Sequence, residues 1–571
     1  VGLAACGGEP DLSEEPDQAE SETQDSPPDA EAVADADNGF RPQTHGFSFP
    51  NYGDEHPEGD LTVAEARRMF GDAACRTVND KGCRPTLATE MWIKSANQAM
   101  AGGHCEGMAV LSALVFQGEE PLTRLGGGSD DETFDLEVDG NIPLQREISY
   151  FWATQGVPSV LDATLRGRPS EVLDALREGL ASGDEQYTIG IYSRAGGGHA
   201  VTPFAVVDQA EDGLARILVY DNNFPGEEKY ISVDTQADTW TYATAALNPA
   251  EDAEPWEGDA QTQSLEITPL SSRVGQLDCP YCADSQGGGG EVDKGSRTVV
   301  RLEGAGTLYV RDEAGHRTGQ VDGKLINEIP GARIAPQAGA VRLGSAPLIV
   351  LPSGMAFEAF AGGEGAAAGQ EGSLSIVRNG LVLLLDRMTL GPAANHLQVS
   401  ASGLDIHFVA GAAQQPRIEG ALDRPGDQRD YGFALGGSDT AAGQEIALRF
   451  DEETEDLDLS GSDAADSTFD LELEAQDEDS DDRFVANDLS LDTGAAAIFD
   501  LADWDEGEDL GVGMDADGDG QAETEATLDD GAASDLFSDA ELAEEAGWWA
   551  DDGAEAADAP EADTPADPSA D

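Results

Sequence analysis

Three separated stretches of this chain hold the residue types that build an activated nucleophile. The first is Gly102-Gly103-His104-Cys105-Glu106-Gly107-Met108, a glycine loop running into an apolar helical pattern that continues to Val115. A cysteine at that point stands at a helix N-terminus, where unpaired backbone N–H groups and the positive end of the helix dipole favour its thiolate. Taken alone, Cys105 fits equally well as a small buried hydrophobe at a helix start. The second stretch, Gly196-Gly197-Gly198-His199-Ala200-Val201, places a histidine at the mouth of an apolar strand. In the third, Ile217-Leu218-Val219-Tyr220 runs into Asp221-Asn222-Asn223. Antiparallel pairing of these two strands brings His199 near Asp221, with Asn222 as the adjacent alternative. A thiol beside an imidazole that is itself oriented by an acid or amide is the arrangement that attacks acyl carbons.

Such groups need elements that hold them. Apolar residues recur at helical spacing over residues 61–70 and 170–180, and Pro169-Ser170 reads as a helix start. Residues 187–192, 200–207 and 215–220 read as successive strands separated by glycine-rich or acidic turns. Helices first and strands later describe an α+β domain.

Cysteine at a helix start, histidine before an apolar strand, and Asp or Asn after the next strand form an order that resembles the papain-like superfamily, over residues 90–226. The resemblance implies Cys105 as nucleophile, His199 as base and Asp221, or Asn222, as the residue orienting the imidazole. It also implies Gln98 as the oxyanion-hole donor, one residue further from the cysteine than is usual. Glu106 departs from the small residue common after the nucleophile. Bacteriocin-processing peptidase domains share the order and use Asp, but the transporter segments that accompany them are absent from the sequence. The implied chemistry is a peptidase reaction. His199 takes the Cys105 proton, the thiolate forms a thioester, Gln98 and the Cys105 N–H hold the oxyanion, and water releases the acid. No cofactor is required, and the substrate is a peptide or protein. The same groups serve a transglutaminase-like acyl transfer, and an inactive version of the scaffold makes a binding lipoprotein.

Charge narrows the partners. The 571 residues carry 114 acidic against 31 Lys and Arg, a net charge of −83, which repels nucleic acid and anionic lipid alike. Residues 1–8, Val-Gly-Leu-Ala-Ala-Cys-Gly-Gly, resemble a bacterial lipobox, which implies lipid attachment at Cys6 and export to the cell envelope, facing the exterior or periplasm. With no apolar stretch of about 20 residues, membrane attachment is expected through lipid alone. Setting Cys6 aside leaves five cysteines. In an oxidising exterior their spacing suggests disulfides Cys75 with Cys83 and Cys279 with Cys282, leaving Cys105 unpaired. Cross-pairing, a four-thiolate zinc site from the same residues, and a redox role for Cys279-Pro280-Tyr281-Cys282 stay open.

The expected organisation is a lipobox remnant (1–6), a disordered acidic tether (7–45), the α+β papain-like domain (46–255) and a linker carrying the Cys-Pro-Tyr-Cys motif (256–295). An all-β, sandwich-like module (296–450) follows, then an acidic β-rich region (451–530) and a disordered acidic tail (531–571). The β module is a candidate binder of protein or polysaccharide. Asp515, Asp517 and Asp519 match the first half of a calcium loop, but Ala526 stands where the bidentate glutamate belongs, so a structural calcium and a solvated loop weigh equally. His104, His316, His396 and His407 stand in no metal-ligand spacing and are expected at the surface or in packing roles.

Overall fold

The structure is a computed structural model. It describes residues 36–528 except 80–81, 194–196, 210–212, 244–254, 284–296, 339–345, 364–368, 427, 438, 462–466, 492–494, 503, 506–508 and 516–520. Cys6, most of the tether and the acidic tail lie outside the described residues.

An α+β domain comes first. The helix Leu87–Met100 starts at Thr86, whose side chain accepts the Thr89 N–H at 3.1 Å. After a 96° bend the helix Cys105–Gln117 follows and stops at Gly118, which takes a left-handed φ of 78°. Gly107 lets this helix press against Ile142–Ala153, since a Cβ there would sit 1.9 Å from the Ile148 carbonyl oxygen. Among the described residues no single helix is long and apolar enough to cross a membrane.

The strands Tyr187–Tyr192, Gly198–Asp208, Leu214–Tyr220, Glu228–Asp234, Thr239–Tyr242 and Trp256–Asp259 are consecutive neighbours in one antiparallel sheet. The Gly198–Asp208 strand is buried along nearly its whole length because the Cys105 helix covers one face and the helix Pro169–Ser182 the other. Pro203 cannot donate to the ladder, and the pairing with Leu214–Tyr220 shifts there by one residue.

Two expected boundaries are corrected in this domain. Residues 36–45 are folded: Ala36 and Asp37 pair with Val206 and Ala205, and the Asn38 N–H donates to the Phe204 carbonyl at 3.0 Å beside the bulge. Phe40 is buried among Phe116, Phe204 and Tyr220, an apolar anchor that outweighs the polar composition around it. Residues 256–283 are also structural. The strand Leu265–Pro269 inserts between Tyr187–Tyr192 and Leu165–Arg166. Cys75–Cys83 and Cys279–Cys282 are disulfides, and Tyr281 lies buried against Phe70 and Trp92.

The β region is one unit from Arg297 to Leu528, with no break near 450. Two antiparallel sheets of nine and eleven strands share a single core running from Val300 to Val512. Later hairpins alternate between them: Gln370–Arg378 with Leu381–Leu390 joins one sheet, Asn395–Val399 with Asp405–Val409 the other. The run Leu381-Val382-Leu383-Leu384-Leu385 is apolar without interruption because its sheet is covered on both faces. Leu381, Leu383 and Leu385 point into the sandwich, while Val382 and Leu384 pack in the cluster that contains Trp92 of the first domain. Lys94 crosses this junction to Glu419 at 2.8 Å, and the Gly380 N–H donates to the Tyr281 carbonyl at 2.8 Å.

Candidate functional site

The Gly198–Asp208 and Leu214–Tyr220 strands are in register at Thr202 and Tyr220, so His199 and Asp221 emerge at one end of the sheet. His199 Nε2 lies 2.7 Å from Asp221 Oδ1. Asp221 also accepts the Tyr242 hydroxyl at 2.5 Å and the Asn223 N–H at 2.8 Å. With Nε2 committed to the carboxylate, the opposite ring nitrogen is left for the Cys105 sulfur, whose interaction with the ring raises the basicity of the imidazole. Cys105 is the free cysteine of the described residues and begins its helix.

Burial lowers the basicity of His199, but the charges and hydrogen bonds of Asp221 and Cys105 outweigh it and hold the imidazole up at about 10. Burial raises the Asp221 carboxyl, and His199, Tyr242 and the Asn223 N–H together bring it below its ordinary value. At neutral pH the pair is therefore imidazolium and carboxylate.

Asn222 takes a different place from Asp221. Its Nδ2 donates to the Cys105 carbonyl at 3.0 Å and to the Ala200 carbonyl at 3.1 Å, tying the helix start to the histidine strand. Gln98 is corrected as an oxyanion donor: its amide is turned to Asp386 of the β region, 3.4 Å away. The bend after Met100 separates the two helices, so counting residues back from the cysteine does not locate the donor. Asn51 lies beside the helix start. Its Oδ1 accepts the His104 N–H at 2.8 Å, and its own N–H donates to the Asn222 carbonyl at 2.9 Å, which fixes its amide beside the start of the Cys105 helix.

Glu106 is neutralised by a buried ion pair with Arg273, which also donates to Thr154 Oγ1 at 2.8 Å. Burial still raises the Glu106 carboxyl, with Arg273 opposing it. His104 stacks on Tyr52 at 4.4 Å, and burial lowers its imidazole to about 4, so it is a neutral packing residue. His316, His396 and His407 pair with Asp312, Glu358 and Glu445 in the β region. Asp515 is buried at the end of Leu510–Asp515, while Asp517 and Asp519 lie outside the described residues. Among the described residues no group of His, Cys, Asp or Glu is arranged to hold a metal.

Sequence reasoning missed Tyr242, Asn51 and Arg273, which reach the site from distant segments and belong to no local motif. No family model, no curated protein and no solved structure matches this chain.

Proposed function

We propose that this protein is a papain-like cysteine hydrolase that cleaves peptides through a thioester on Cys105. The observation that carries the reading is the series Cys105, His199, Asp221 and Tyr242, with the thiol at a helix N-terminus and the imidazole hydrogen-bonded to a buried carboxyl that the Tyr242 hydroxyl also holds. The Cys105 sulfur, facing the His199 imidazolium, is the attacking atom. The sulfur bonds to the acyl carbon, the electron pair of the carbonyl π bond moves onto its oxygen, and the Cys105 N–H and the Asn51 amide donate hydrogen bonds to that oxyanion. The C–N bond then breaks, and His199 gives its proton to the departing amine. Water gives a proton back to His199 as its oxygen attacks the thioester, releasing the acid and restoring the sulfur.

The two disulfides agree with an oxidising compartment and so with the export expected from the Cys6 motif. The expected lipid attachment at Cys6 belongs to the same proposal. A second reading, a binding protein on this scaffold, is favoured by one fact: Cys105 and His199 are only 1% and 2% exposed.

The test is long incubation with a mixed peptide library, reading both peptide products and acyl adducts on the intact protein by mass. The reading expects products that disappear in Cys105→Ala and His199→Ala. Products that persist in Cys105→Ala would overturn it.

A further inference from the structure

The thiol is covered by the protein itself. Past the strand Arg333–Ala335, residues Pro336, Gln337 and Ala338 leave the β region and cross the Cys105–His199 site. Ala338 is 1% exposed and joins Cys105, Ala109 and Ala200 in one small apolar cluster. Its N–H donates to Gln155 Oε1 at 3.0 Å. The Gln337 carbonyl lies so close to the residue before His199 that a Cβ on Gly198 would come within 2.3 Å of it. With its amide oriented to suit both groups, the Gln337 side-chain oxygen accepts from Arg301 Nε at 3.0 Å and Nη2 at 3.1 Å. Upstream, Arg166 donates to the Ile334 carbonyl at 2.6 Å, and Arg333 pairs with Asp162 at 2.6 Å. The crossing segment is thus fastened from both sides by side chains of both domains.

We propose that Pro336–Ala338 occupies the place of the substrate's acyl side, and that the substrates of this site are extended peptides presenting Ala or Gly over Cys105. This rests on the hydrolase reading above. The size restriction follows from the neighbours: Ala109 and Ala200 are fully buried, and Ala338, 1% exposed, packs with them and Cys105 in one cluster. Hydrogen bonds to main-chain groups, as Gln155 makes to Ala338, suit an extended chain of any sequence, whereas the alanine wall admits only a small side chain. The protein is then latent until this segment is displaced. The rate of any reaction at Cys105 is set by the fraction of molecules in which it has moved aside.

The experiment measures iodoacetamide modification of Cys105 by intact mass in the full chain, for the wild type, Gln337→Ala and Ala338→Glu. Gln337→Ala removes the Arg301 contact without altering the cluster, while Ala338→Glu cannot fit among the alanines. The proposal expects modification about tenfold faster in Ala338→Glu, a smaller gain in Gln337→Ala, and cleavage by Ala338→Glu of Gly- and Ala-containing peptides about tenfold faster than of Leu- and Phe-containing ones. Unchanged modification in both variants overturns the occupancy, and should Ala338→Glu fail to fold, Gln337→Ala decides alone. Equal cleavage of small and bulky peptides overturns the substrate class. Faster modification that is indifferent to a further His199→Ala change upholds the occupancy and removes the hydrolase reading instead.

Discussion

At the residue scale the site is an electrostatic chain. Tyr242 and the Asn223 N–H hold Asp221 as a carboxylate, Asp221 holds His199 as a cation, and His199 faces the sulfur. The sign of the pH dependence follows. His199 is raised to about 10 in the folded state against about 6.5 unfolded, so its contribution to stability is complete below the unfolded value and is lost as pH rises through about 10. Carbon-13 NMR of labelled histidines, assigned with His199→Ala, should show one imidazole keeping its proton to about pH 10, and losing it at lower pH in Asp221→Asn. Glu106 gives a second outcome. Removing its partner by Arg273→Met leaves an unpaired buried carboxyl and should cost about 3–5 kcal/mol in denaturant unfolding, with most of that loss recovered by adding Glu106→Gln. Asp221 and His199 were legible in the sequence because neighbouring antiparallel strands bring their ends together. Whether Asp221 or Asn222 faces the ring was not legible, since adjacent residues point to opposite sides and only packing decides which side holds the imidazole.

At the scale of elements, one helix and three strands position the chemistry: Cys105 begins the helix, His199 lies on Gly198–Asp208, Asp221 follows Leu214–Tyr220 and Tyr242 ends Thr239–Tyr242. The strand pattern around His199 and the helix after Cys105 were visible because apolar periodicity is a local property. Other features depend on distant partners. The strand Leu265–Pro269 lies in a stretch of linker-like composition, yet Leu265 and Ile267 are fully buried in the sheet. Its order comes from pairing with Tyr187–Tyr192, which no local pattern encodes. Gly107 is the point of closest approach between the Cys105 helix and its neighbour. Gly107→Ala should force these helices apart and lower the melting temperature, measured by thermal unfolding.

At the scale of the whole molecule, the two domains share a buried junction. Leu384→Ala opens a cavity in the face that meets Trp92 and should cost about 2–5 kcal/mol, measured by denaturant unfolding. Buried carboxyls also collect at this junction. Desolvation, reinforced by Asp481, lifts Glu90 to about 8, and desolvation with Asp430 lifts Asp423 to about 7. Folded protein therefore keeps protons that the unfolded chain has released above the ordinary carboxylate range, so stability falls as pH rises from about 5 to about 8. Melting curves should show this decline, and Glu90→Gln should flatten it. The uninterrupted apolar run 381–385 signalled a strand covered on both faces. It did not say what covers it, and that partner is a helix nearly three hundred residues earlier in the chain.

The most direct test of the central claim is the rate of Cys105 alkylation between pH 5 and pH 10, read by intact mass, in the wild type and in His199→Ala. The account expects the wild type to react faster than the variant at and below neutral pH, because the His199 imidazolium faces the sulfur. In the variant the rate should rise only near the ordinary thiol value of about 8.5. Identical profiles in the two proteins would contradict the account, since they would mean that His199 does not act on Cys105.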